Sequence, residues 1–192
     1  MERRVEFRSV NETVVGTFIT PPHGQGPFAT VVMGGGWCYV KEIVMPHYAK
    51  KMLEAGLAVL MFDYRCLGES GGEPRQHLDP WAQIEDFKNA ISFATTQPDV
   101  DPNRIGAWGI SYGGGHVLIL GASDPRVRCI VSNIPVVDGY DTMRREHGGR
   151  RFDLLMKAIM EDRLNRFRTG QPGRIPFSAA DPDTTLCTCP FP

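Results

Sequence analysis

The sequence predicts an α/β fold, a mostly parallel sheet wound on both faces by helices and opened by an antiparallel hairpin. Two observations predict it. Short apolar runs, each long enough for one strand, alternate with helical stretches between Pro27 and Ile134. The connections between them are short, which makes the strands parallel and the crossovers right-handed. A chain of 192 residues with 42% hydrophobic and 22% charged residues has room for one globular domain. That composition carries too much apolar surface and too little net charge for a disordered chain.

Each element has its own signal. Residues 5–7 and 14–19 alternate in polarity around Asn11 and Glu12, which reads as a hairpin that ends at Pro21 and Pro22. Residues 29–33 (ATVVM) and 58–62 (AVLMF) are continuous apolar runs suited to strands buried on both faces. Between them, residues 48–55 favour a helix that stops at Gly56. Asp79 can cap a further helix, Pro80 suits its first position, and Ile84, Phe87, Ile91 and Ala94 keep one apolar face. Residues 105–110 form a third buried run, followed by a glycine-rich turn and a helix ending near Ala122; residues 127–134 form a fourth run.

Past Asp138 this rhythm stops, so a core is expected over 1–138 and a helical cap segment with a proline-rich extended tail over 139–192. Residues 141–174 hold nine Lys or Arg against five Asp or Glu. Residues 151–168 read as an amphipathic helix, with Asp153–Lys157 and Asp162–Arg166 pairs at i,i+4 spacing. The basic surplus reads first as a solvated helix face, and a lid over an active site is the alternative. The last 21 residues carry five prolines and no periodic pattern.

Charge narrows the function. The 21 basic and 22 acidic residues leave a net −1, so nothing global favours nucleic acid or an acidic membrane as partner. No stretch approaches the roughly 18 apolar residues that span a bilayer. The opening residues MERRVEFRSV lack the apolar run of an export signal, so a cytoplasmic location is expected. Five scattered cysteines (38, 66, 129, 187 and 189) then read as free thiols. Cys187 and Cys189 are close, yet no second pair or nearby histidine completes a metal site, and neither metal nor cofactor is expected.

One constellation carries chemistry. Gly109-Ile110-Ser111-Tyr112-Gly113 matches G-x-S-x-G directly after a buried run and before a helix. Such a turn strains the serine backbone, leaves no room for side chains two residues on either side, and lifts the hydroxyl clear of the sheet. Ser111 is therefore the expected nucleophile. An acyl-transfer serine also needs amide donors for the developing oxyanion. Tyr112, next in the chain, can supply one. The other is expected from Gly35 and Gly36, in the Gly34-Gly35-Gly36-Trp37 loop after the first buried run, where Met33 stands in place of the histidine of an H-G-G-G loop. A phosphate-cradling loop is the weaker alternative, because neither G-x-G-x-x-G nor G-x-x-x-x-G-K-[ST] occurs.

The segments ATVVMGGGWCYVKE, FDYRCLGESGGEPRQHLDPWAQIEDFKNAI, VDPNRIGAWGISYGGG and DPRVRCIVSNIPVVDGYDTMRR resemble the α/β-hydrolase superfamily. Within it, they resemble dienelactone-hydrolase-like proteins and the fungal thiohydrolases and polyketide transferases. The resemblance implies an acyl-enzyme on Ser111 and a small-molecule ester or thioester as substrate, with release of the acyl group to water, an alcohol or an amine. It also implies that an acid and then a histidine come after the nucleophile, on later strands.

Such a domain needs about 250–300 residues, whereas some 80 come after Ser111. The C-terminal third of the fold is therefore expected to be missing. His116 is expected to pack or lie on the surface, and His147 to sit in a solvated loop. Asp138, just past the fourth run, is a candidate acid or the cap of the next segment. Asp63 also ends a run but precedes the nucleophile. A serine without its base is a poor nucleophile, which keeps open a non-catalytic remnant that binds an acyl ligand or a partner. The open edge of such a sheet would also permit oligomers.

Overall fold

Six runs pair into one sheet: β1 (Glu2–Ser9), β2 (Glu12–Ile19), β3 (Phe28–Gly34), β4 (Ala58–Phe62), β5 (Val100–Ile110) and β6 (Val127–Asn133). Their order is β1-β2-β4-β3-β5-β6. The computed structural model describes residues 1–190. The hairpin β1–β2 is antiparallel with Ser9 opposite Glu12, and β2 pairs antiparallel with β4. From β4 onward every pairing is parallel. The expected strand pattern is therefore present, with β5 reaching back to Val100 to pair there with Phe28.

The β4 run explains the layering. Period-two alternation sends Ala58, Leu60 and Phe62 to one face and Val59 and Met61 to the other. The first three join Phe18, Val32, Phe87, Ile91, Val117 and Leu120 in the larger apolar cluster. The other two join Met33, Met45, Ala49, Trp108 and Ile110. Helix α1 (Met45–Glu54) supplies the second cluster, whereas α2 (Pro80–Thr95) and α3 (Tyr112–Ser123) supply the first. The central strands of the sheet are covered on both faces.

Helix α2 starts where its cap and proline dictate: the Asp79 carboxylate accepts from Trp81 N–H at 2.9 Å and Ala82 N–H at 3.1 Å. Asp79→Ala removes the one oxygen that accepts both bonds and is expected to lower stability by about 1 kcal/mol. Urea unfolding with an unchanged m-value is the check. On α2, Asp86 is fully buried and accepts from the Arg65 guanidinium at 2.7 and 3.0 Å. Ser9 Oγ accepts from both Arg65 and Asn89, which ties β1 to this pair.

The chain divides into two compact units, Met1–Val136 and a second from Val137 onward. In the second, α4 runs Gly139–Thr169 and breaks at Gly148, whose φ of 64° and ψ of −174° are not helical. Apolar periodicity marks only its later part. Asp138 starts it earlier by accepting the Asp141 N–H at 2.9 Å. Asp162 pairs with Arg166 at 2.9 Å as expected, but Lys157 lies 3.9 Å from Glu161 and not against Asp153. His147 also departs from expectation. It is buried on α4, 5% exposed, with Nε2 2.9 Å from the Thr188 carbonyl, because the tail folds back over that turn.

Candidate active site

The β5 strand runs into α3 through a single residue. Ser111 has φ 56° and ψ −114°, a left-handed backbone that a residue with a side chain adopts only under constraint. Three backbone bonds impose it: Ser111 N–H donates to Asn133 O at 2.9 Å, and Ser111 O accepts from Gly115 at 3.2 Å and Val136 at 2.9 Å. The glycines of the motif answer a crowding requirement. A Cβ on Gly109 would lie 2.0 Å from the Gly113 carbonyl, and one on Gly113 would lie 2.3 Å from the Gly35 carbonyl. The elbow closes on itself at one glycine and against the loop after β3 at the other.

That loop is the neighbour of the serine. A Cβ built on Gly36 would meet Ser111 Cβ at 3.4 Å, an ordinary contact distance. Ser111 is half-buried, and among the described residues its Oγ has no hydrogen-bond partner. Tyr112 opens α3, so its amide has no acceptor within the helix. Among the described residues no acceptor takes the amides of Gly35 or Gly36 either. Ser111, Tyr112, Gly35 and Gly36 thus meet at one end of the parallel strands, the edge where such sheets hold ligands. Trp37 and Tyr112 stack with ring centroids 5.0 Å apart, bracing the two sources of amides against each other. Burial raises the Tyr112 phenol pKa, and the Asp79 charge adds to the rise.

His116 does not reach toward the serine hydroxyl. Its Nε2 lies 2.9 Å from Gln83 Oε1, so the neutral ring carries its proton there. The rings of Tyr112 and Tyr64 pack edge-on against it at 4.8 and 5.8 Å. Burial lowers its pKa to about 4. The histidine is a packed core residue, one of the two placements that its position in the helix suggested. Asp138 serves as the α4 N-cap, the other role that the sequence offered for it.

Two features escaped the sequence reading. Nothing local announced that Trp37 and Tyr112 would stack, since 75 positions separate them. Asp63, set aside because it precedes the nucleophile, is fully buried and is bonded to Lys41 in the same glycine loop.

Residues 13–172 match the X-Pro dipeptidyl-peptidase (S15) family. The chain belongs to that family. This S15-family chain is 32% identical to the quorum-quenching protein AidA of Acinetobacter baumannii, over 97% of its own length and 60% of AidA. It is 40% identical to the thiohydrolase aneE of Aspergillus aculeatus, over 74% of its length and 43% of that protein. The crystal structure of the α/β hydrolase GrgF from Penicillium sp. sh18, a polyketide transferase by name, aligns with a TM-score of 0.75 at 28% identity. That match covers 94% of this chain and 60% of GrgF. The fold is that of the α/β hydrolases, and the resemblance to fungal thiohydrolases and polyketide transferases holds. The chain spans 60% or less of the length of these relatives. Among the described residues, no helix is long and apolar enough to cross a membrane.

Proposed function

We propose that the chain is a serine acyl hydrolase or acyltransferase acting on an ester or thioester. The observation that supports this most is Ser111, a strained serine with an unbonded hydroxyl, its Cβ beside a loop of unengaged glycine amides. In this reading Ser111 Oγ attacks the acyl carbon, and the Tyr112 amide with an amide of Gly35 or Gly36 receives the oxyanion. The bond to the leaving alkoxide or thiolate then breaks, and the serine proton passes to that leaving group. Water, an alcohol or an amine next takes the acyl group and returns a proton to Ser111. No cofactor enters either step. The names of the thiohydrolase and polyketide-transferase relatives support a polyketide acyl group as substrate. A cytoplasmic setting belongs to the same proposal, supported by the free thiols of Cys38, Cys66, Cys129 and Cys187.

Both proton transfers need a base. In this reading the base lies in the part of the relatives' length that this chain does not match. Asp138 is the acid candidate within the chain. The oxyanion amides alone sustain residual reactivity, so an excess of fluorophosphonate is expected to form a covalent adduct on Ser111 slowly, and Ser111→Ala is expected to abolish it. Intact-mass and peptide analysis make the measurement. Equal adduct formation by a folded Ser111→Ala chain removes the nucleophile assignment.

A second reading rests on the same hydroxyl. Without a base beside Ser111, the fold can serve as a non-catalytic scaffold that binds an acyl ligand, or a partner or second copy through β6. That strand ends the sheet, and Val131 on it is 51% exposed. Turnover of p-nitrophenyl acetate that Ser111→Ala abolishes counts against this reading.

A further inference from the structure

Amides act as oxyanion donors only when held in place, and a glycine-rich loop loses more freedom on ordering than any other. Ten residues separate the end of β3 at Gly34 from the start of α1 at Met45. Within them Tyr39 N–H donates to Gly36 O at 3.2 Å and Ile43 N–H to Val40 O at 2.9 Å. These bonds shape the loop without fastening it to the sheet. The fastening comes from Asp63. Parallel pairing sets Met33 opposite Met61, so the residue just past β4 emerges beside the start of the glycine loop.

The Asp63 carboxylate is wholly buried and accepts three donors. Lys41 N–H donates to Oδ1 at 2.6 Å, Lys41 Nζ to Oδ2 at 3.0 Å, and Glu69 N–H to Oδ2 at 3.0 Å. Lys41 is itself 4% exposed, and its ammonium also meets Glu69 at 2.5 Å and Glu42 at 2.8 Å. One carboxylate thus grips the backbone and the side chain of the same loop residue, five positions beyond Gly36. A charge-assisted pair of this kind has geometry that neither partner can relax into water.

We propose that Lys41 and Asp63 are positioning residues that hold the Gly35 and Gly36 amides toward Ser111. This rests on the reading of those amides as oxyanion donors. The clamp acts on the loop, not on the substrate. It predicts that loosening Lys41 mobilises residues 35–40 and slows reaction at Ser111, while the strands stay as they are.

The test measures amide hydrogen exchange across the wild-type chain and Lys41→Met, together with the rate of fluorophosphonate labelling. In the wild type, the Lys41 amide is expected to exchange as slowly as the amides of β4; exchange at the rate of exposed loop amides overturns the clamp, whatever the variants do. In Lys41→Met, amides 35–40 are expected to exchange at least about 10-fold faster and labelling to slow by about 10- to 100-fold. Lys41→Arg, which keeps the cation, is expected to recover part of the labelling rate. A folded Lys41→Met chain with wild-type exchange and labelling also overturns it. Where Lys41→Met does not fold, Asp63→Asn serves, since it keeps an acceptor for the Lys41 amide and loses the charge. A wild-type chain that takes no label refutes the nucleophile reading, and the exchange measurement still decides the clamp.

Discussion

Between pH 7 and pH 4 the chain is expected to lose about 3 kcal/mol of folding stability through His116 alone. The ring is 3% exposed, and burial holds its pKa at about 4 against the ordinary 6.5. Above pH 6.5 neither the folded nor the unfolded chain binds this proton, and the full contribution is present. As pH falls below 6.5 the unfolded chain takes the proton while the folded chain does not, so stability drops. The loss is complete once the pH passes below about 4, where the folded ring is also charged. Carboxylates titrate in the same range, so the slope of stability against pH must be compared with that of a variant. In His116→Met the slope between pH 4.5 and 6 is expected to be shallower by up to about 1.4 kcal/mol per pH unit. Parallel slopes for the two proteins would falsify the burial of a neutral imidazole.

Gly113→Ala is expected to cost about 3 kcal/mol. For a chain of this size that lowers the melting temperature by about 6–12 °C. The added methyl lies 2.3 Å from the Gly35 carbonyl and 2.6 Å from the Gly34 carbonyl. The Gly34 carbonyl cannot retreat, because β3 is held between β4 and β5, and Gly35 follows it directly. Relief must come from α3 moving off the sheet, which also moves Ser111 away from the glycine loop. Labelling of Ser111 is therefore expected to fall with stability. Gly139→Ala is the control: its added methyl meets nothing within 4 Å, and little change is expected. Melting within about 1 °C of wild type for Gly113→Ala would mean that α3 does not approach β3 this closely.

The parts of the fold legible in the sequence were those that depend on a few neighbouring residues. β4 was read at its full extent because an apolar run of five fits only a strand covered on both faces. α2 was read from a carboxylate and a proline at adjacent positions. α4 was read short because its start depends on Asp138 capping a polar segment without apolar periodicity. His147 departs from its sequence environment for a related reason. Its neighbours in sequence are charged, but the group that covers it arrives from residue 188.

The same division runs through the candidate site. The glycine spacing of the elbow and the three consecutive glycines follow from local steric demands, which five adjacent residues express completely. That the two segments face each other, that Trp37 lies on Tyr112, and that His116 turns to Gln83 are outcomes of strand order. So is the grip of Asp63 on Lys41. Backbone conformation is governed by atoms a few bonds apart, and residue types alone encode it. Burial, and with it the charge state of a histidine or the partner of a carboxylate, depends on which distant segment excludes the water, and only the folded chain decides that.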